Sequence, residues 1–248
     1  MSIGVHPHPE TALAEDRPYR MSVDQYVAIA EAGILPKEAR TYLNDGVLVE
    51  KIEEPEDDPP YLISTDQYWA MVEAGIFPEH ARIYLRDGRI VEKMAKTNAH
   101  CIVSAMFHEV LHGQLPVGWK VFLEGQFTLD EGNVVLPDVA VVRGQSFRSL
   151  LPPGQFPSAS KLGLVVEIAV TSLGKDLGPN LRRYAQARIP SYWVVDVAGA
   201  RILVHSQPCT IDVHSGYTQV LTAKAGDTTP LILDDQEIAQ LSYDTLMP

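Results

Sequence analysis

The stretch LGLVVEIAV (162–170) decides how this chain folds. It is too apolar for a strand with one face in water and reads as a strand buried on both faces of a sheet. Glu167, in its middle, is then a carboxylate inside a core. The run before it, VVLPDVAVV (134–142), repeats the anomaly, with Asp138 following Pro137 among Val and Leu. A buried carboxylate without a partner costs several kcal/mol, so two on neighbouring core strands need a shared cation or a basic partner. Hard oxygen donors suit Mg²⁺ or Mn²⁺, which act on phosphates as Lewis acids and activate water. The plainer alternative is that Asp138 caps a bulge and Glu167 pairs with a helix-borne arginine such as Arg182.

Working outward, apolar residues at 102, 103, 106, 107, 110 and 111 recur at helical spacing and predict one amphipathic helix from Asn98 to Leu115. WKVFLEGQFTL (119–129) is strand-like and is joined to 134–142 by the turn Asp130-Glu131-Gly132-Asn133. A Pro-rich loop, LLPPGQFP (150–157), leads to the buried strand, and residues 176–188 read as a helix carrying Arg182, Arg183 and Arg188. SYWVVDV (191–197), ARILVHS (200–206) and GYTQVLTA (216–223) alternate as strands, with a short helix expected around 235–246. The pattern is α/β with a mixed central sheet flanked by helices.

Ahead of this lies an internal repeat. Residues 19–52 and 61–94 align without gaps at an offset of 42, with 20 of 34 positions identical. In each copy Ser22 or Ser64 caps a short helix, Gly33 or Gly75 ends it, and Asn44-Asp45-Gly46 or Arg86-Asp87-Gly88 turns a hairpin. Two copies are too few for a solenoid, so one element of a larger domain is duplicated. EEPEDDPP (53–60) combines like charges with prolines and reads as an extended linker. The division expected is an extension over 1–60 and a main domain over 61–248. Because the first copy keeps Tyr26, Ala28, Ile34, Tyr42, Leu43 and Gly46, it is expected to dock rather than expose its apolar face.

The formal net charge of −12 argues against general affinity for polyanions. Residues 1–60 hold 5 Lys+Arg against 13 Asp+Glu, a net of −8, so the remainder carries only −4. No apolar run approaches the ~18 residues that span a bilayer, and the start is polar and Pro-rich, so the cytoplasm is the expected location. Cys101 and Cys209 read as reduced structural thiols, Cys101 packing within a helix. HEVLH (108–112) has the metalloprotease pattern, with His108 and His112 as zinc ligands and Glu109 as base. No third ligand follows, since the next residues are GQLPVGW. His6 and His8 read as tail.

The ordered set Pro137-Asp138, VVEIA with Glu167, TSLGKD and LRRYAQARIPSYWVVD resembles the Uma family of bacterial "putative restriction endonucleases", of the PD-(D/E)xK nuclease superfamily, over about residues 61–240. The resemblance implies a restriction-endonuclease-like core, DNA as substrate and a homodimer. It implies that Asp138 and Glu167 bind Mg²⁺ or Mn²⁺, that the Ile168 carbonyl assists, and that His100 stands at the start of the first core helix. Departures from the pattern bear on catalysis. The superfamily lysine would fall at Ala169, and the slot to which this family moves it is Asn180. A glutamate often found before the hairpin turn is Tyr84. Lys175 is the nearest replacement cation, although a solvated lysine at a helix start is the blander reading. The expectation is a Mg²⁺-dependent DNA endonuclease, intact or degenerate; the alternative is a non-catalytic binding or regulatory protein on the same fold.

Overall fold

The structure, a computed structural model, describes residues 16–52, 58–146, 157–211 and 214–248. The tail with His6 and His8, most of the linker and loop 150–156 lie outside them. At the centre is β10 (Leu162–Ala169), buried at every residue. It pairs in parallel with β11 (Ser191–Asp196) and antiparallel with β9 (Val139–Arg143). With β6 (Trp119–Leu123), β12 (Arg201–Ile211) and β13 (His214–Ala223) these form a six-stranded mixed sheet in the order β13-β12-β11-β10-β9-β6.

Alternation along β10 sorts its side chains between two cores. Leu164, Val166 and Ile168 pack with Val103, Phe107 and Leu111 of α3 (Asn98–Gln114), over a cluster that includes Trp193. Val165 and Ala169 face the other way, toward Tyr184, Tyr192 and Val194. A parallel neighbour needs a crossover, and this one consists of α4 (Leu173–Lys175), a π-helical turn over Asp176–Asn180 and α5 (Leu181–Gln186). The single helix expected over 176–188 is thus broken at its start. Pro179 has no N–H to offer the regular ladder, and the wider turn accommodates it.

Three other expectations change. The C-terminal segment is a hairpin, β14 (Thr228–Leu233) and β15 (Gln236–Ser242), and only α6 (Tyr243–Leu246) is helical. Asp234 and Asp235 both take positive φ, 54° and 59°, the requirement of a tight hairpin turn. The run 119–129 splits into β6 and β7 (Phe127–Asp130), with Glu124 at φ 52° in the break, and 134–142 splits into β8 (Asn133–Val135) and β9 around Pro137. Cys101 is exposed rather than packed.

Both copies of the repeat adopt a helix followed by a hairpin. The first has α1 (Val23–Glu31), β2 (Thr41–Asn44) and β3 (Val47–Glu50); the second has α2 (Thr65–Glu73), β4 (Ile83–Arg86) and β5 (Arg89–Glu92). Ser22 with Gln25 and Ser64 with Gln67 make capping boxes. The copies share one apolar cluster, in which Ile29 and Leu48 meet Tyr68, Met71 and Ile90. The second copy seats on the β7–β8 turn: the Thr65 N–H donates to Glu131 O at 2.6 Å and Trp69 Nε1 to Thr128 Oγ1 at 3.0 Å. That contact fixes the end of β5 beside the sheet. Arg17–Pro18 (β1) then adds to the outer edge of β5.

Gly163 in β10 is closely packed: an added Cβ would lie 2.6 Å from the Trp119 ring and 2.7 Å from Leu233. Gly163→Ala is therefore expected to destabilise the fold by about 1–3 kcal/mol. The urea midpoint should fall with the slope m unchanged.

Candidate functional site

Asp138 immediately precedes β9, and Glu167 lies in β10, the neighbouring strand. Both are buried. They converge on one cation, because Lys93 Nζ lies 2.8 Å from Asp138 Oδ1 and 3.7 Å from Glu167 Oε2. Lys93 follows β5, so the hairpin of the second repeat copy delivers it, and its ammonium also donates to Leu136 O at 2.6 Å. No arginine from the crossover helix meets Glu167. Arg183 pairs instead with Asp87, and Glu167 Oε1 accepts from Tyr184 OH at 2.7 Å.

The other oxygen of Asp138 is held from two sides. Oδ2 accepts from the Ile168 N–H at 2.8 Å and lies 2.8 Å from His100 Nε2. Ser104, one helical turn on from His100, lies 3.2 Å from its Nδ1 and donates to its carbonyl at 2.9 Å. The first turn of α3 thereby orients the carboxylate. Lys96 Nζ adds a second positive charge, 3.4 Å from Asp138 Oδ1 and 3.1 Å from Glu124.

Asp138, Glu167, Lys93, Lys96 and His100 line a cleft of about 90 Å³, together with Arg82, Ser172, Lys175 and Asp176. Asp16 closes one side of it, paired with Lys175 and Arg86 and accepting from Tyr84 OH. At position 84, where a glutamate was expected, the tyrosine holds a carboxylate brought from elsewhere in the chain. Asn180 is turned from the two central acids: its amide donates to Asp176 Oδ1 at 2.9 Å, and Ser172 donates to Oδ2 at 2.6 Å. Of the residues expected at the site, Asp138, Glu167 and His100 come together, Lys175 lies on the rim, and Asn180 is one hydrogen bond behind it.

Lys93 and Lys96 escaped sequence reading. The only trace of Lys93 is Val-Glu-Lys in both copies of the repeat, which duplication alone accounts for. A lysine more than forty residues from Asp138 in sequence carries no local signal of the partnership.

Charge balance follows from burial. Burial raises the proton affinity of Asp138, but the charge of Lys93 and the hydrogen bond and charge of His100 outweigh it and hold the carboxyl well below its ordinary range. Glu167 is pushed up to about 8, by burial first and then by Asp138 and Asp176, against the pull of Lys93. Burial likewise raises Asp176. Glu167 has no charge partner closer than Lys93 at 3.7 Å, and a divalent cation shared with Asp138 would favour its ionised form. Among the described residues no group of three or more His, Cys, Asp and Glu side chains gathers to hold a metal ion. Two carboxylates, with water completing the shell, is nonetheless a donor set that Mg²⁺ commonly uses, and one that zinc sites do not. The residues therefore fit Mg²⁺ or Mn²⁺. The stripe His108–Glu109–His112 lies elsewhere on α3, the two imidazoles stacked at 5.9 Å.

A family model described as "Uma2: Putative restriction endonuclease" matches residues 66–238. Among solved structures, a chain from Anabaena variabilis ATCC 29413, described as "a putative nuclease belonging to DUF820", is similar with a TM-score of 0.52. It is 17% identical, and the match covers 74% of this chain and 97% of that one. At this identity the likeness speaks for the fold alone. Among curated proteins none matches.

The Glu167 shift has a consequence for stability without metal. Between its ordinary value of 4.5 and about 8, the folded chain keeps a proton that the unfolded chain has released. Stability contributed by this group therefore falls as pH rises across that window. Glu167→Gln removes the ionisation. In EDTA its urea-unfolding free energy relative to wild type is expected to rise between about pH 5 and about pH 8.5, by about 1 kcal/mol or more. A difference independent of pH would mean that Glu167 stays ionised.

Proposed function

This chain belongs to the Uma2 family, and we propose that its cleft is a metal-dependent nuclease site that hydrolyses DNA phosphodiester bonds. The observation that carries the reading is the convergence of Asp138, Glu167 and Lys93 in a cleft rimmed by Lys96, Arg82 and Lys175. Two carboxylates and an ammonium serve opposite needs there. The carboxylates would hold Mg²⁺ or Mn²⁺. The ammonium stabilises negative charge gathering on a phosphate as the bond breaks.

When bound, the cation supplies Lewis acidity at phosphorus and makes a water more acidic. The chain's own residues prepare the rest. The Ile168 N–H and His100 fix Asp138 through Oδ2 and leave Oδ1 toward the cleft, while Tyr184 fixes Glu167 through Oε1 and leaves Oε2. Each acid is thus oriented by one oxygen, and the other, Asp138 Oδ1 or Glu167 Oε2, faces Lys93. Lys93 fills the role expected of the missing lysine at Asn180, from the hairpin side rather than from the crossover helix. With a cation held there, the Lys93 ammonium would be displaced from Asp138 Oδ1, and the flexible four-carbon stem would let it turn toward a phosphate in the cleft.

A second reading is a protein on this fold that binds without cutting. It is favoured by Asp16, whose pairing with Lys175 and Arg86 ties up two cations that a phosphate backbone would use.

Calorimetry with Mn²⁺ and nicking of supercoiled plasmid test the proposal together. Wild type is expected to bind Mn²⁺ and to nick DNA only with metal, and Asp138→Asn to lose both. Lys93→Met should keep Mn²⁺ binding and lose about 10²–10³-fold in nicking rate, the scale for removing one electrostatic donor. Metal and DNA binding without nicking in wild type would select the second reading. No Mn²⁺ binding would overturn the metal assignment.

A further inference from the structure

The two repeat copies touch each other twice over, each contact matched by its counterpart at the offset of 42. The Tyr19 N–H donates to Ile90 O at 2.9 Å, and the Tyr61 N–H donates to Leu48 O at 2.9 Å. Gln25 Nε2 donates to Ile76 O at 2.8 Å, and Gln67 Nε2 to Ile34 O at 3.4 Å. Pro18 pairs with Val91, and Pro60 bridges to Val49. Tyr84 OH donates to Asp16, and Tyr42 OH to Asp58 at 2.5 Å. Asp16 and Asp58 are themselves equivalent, which extends the repeat to Asp-x-Pro-Tyr in both copies.

In every pair, residue i of one copy meets residue j of the other, and j meets i in return. Two unlike surfaces of a duplicated unit would dock without this reciprocity. It is the signature of an isologous, two-fold interface, such as two identical chains make. The outer faces break the symmetry. Thr65 and Trp69 seat the second copy on the β7–β8 turn, whereas their counterparts Val23 and Val27 are 69% and 45% exposed. The first copy is half of a symmetric pair with no nuclease body behind it.

We infer that residues 16–52 act as an intramolecular partner subunit, occupying in cis a self-complementary face of the unit 61–92 that otherwise pairs with the same face of a second chain. Tethering gives the cis pairing a local concentration in the millimolar range, about 10³ above that of a second chain at micromolar concentration. The cis contact therefore wins. The pairing also completes the cleft, since it carries Asp16 to Tyr84, Arg86 and Lys175. In a pair of chains, Asp58 of each would take that position on the other.

The test reads mass and fold, so it stands apart from whether the cleft cuts DNA. By light scattering at tens of micromolar, the full chain is expected to have the mass of one chain. Ile29→Asp places a charge at a fully buried position of the first copy. It should open residues 16–52 to limited proteolysis, leave a cooperative melt of the main domain, and double the mass. Adding Gln67→Glu keeps the acceptor that the Ser64 cap uses but sets a carboxylate against the carbonyl of Ile76 in the second chain, so the mass should return to that of one chain. Should Ile29→Asp unfold the whole protein, Tyr19→Pro, which removes the donor to Ile90, the hydroxyl that accepts from Gln25 and a ring at the interface, is read in the same way. An opened first copy with a folded main domain that stays at one-chain mass would overturn the inference. So would a wild-type dimer that Gln67→Glu dissolves, because the face would already be used between chains.

Discussion

The pairing of Lys93 with two buried carboxylates is the contact on which the arrangement of the main domain turns. Burying a charge costs several kcal/mol, and the attraction of an opposite charge recovers this only at close range with the remaining hydrogen-bonding groups satisfied. Asp138 has close partners on both oxygens, from β5, α3 and β10. Glu167 has Tyr184 on one oxygen and only a distant ammonium for the other, and its proton affinity rises accordingly. The cluster ties four elements to one point and leaves Glu167 without a close charge partner. Stability and chemistry pull in different directions here: an apolar pair would pack as well, yet it could not bind a cation or meet a phosphate.

Position in the sheet follows from the same cluster. β10 is central and buried along its whole length, so it cannot shift register without moving Glu167 to the opposite face. The irregular backbone lies around it: the break at Pro137 just before Asp138, and the π-helical turn that carries Asp176 into the cleft. π-helical turns are rare and are often found at functional sites.

The repeat shows how duplication adds a structure without designing one. A face that pairs with its own copy is complementary from the moment the copy exists, so tandem duplication supplies a ready interface. What diverged is the outer side, where Trp69 and Thr65 meet the sheet domain while Val27 and Val23 meet solvent. The same duplication set the strand Arg17–Pro18 on the edge of β5, with Asp16 just before it reaching into the cleft.

Much was legible in the sequence wherever the determinant is local. Ser22 and Ser64 with their glutamines three residues on, the Asp-Gly hairpin turns, the helical spacing of α3 and the unbroken apolar run of β10 each act within a few residues and gave their elements correctly. Asp138 and Glu167 were legible as an anomaly, because a carboxylate among valines is costly wherever the chain places it. The segment expected as a C-terminal helix is instead a hairpin: Asp234 and Asp235 take left-handed backbone at its turn, and Leu231 and Leu241 on its two strands pack into the core. The cation of the site was not legible at all. Lys93 and Lys96 reach Asp138 from more than forty residues away in sequence, and Coulomb attraction depends on distance in space rather than along the chain. The sequence determined that two acids would be buried and would need a positive partner; the tertiary fold decided which lysine that is.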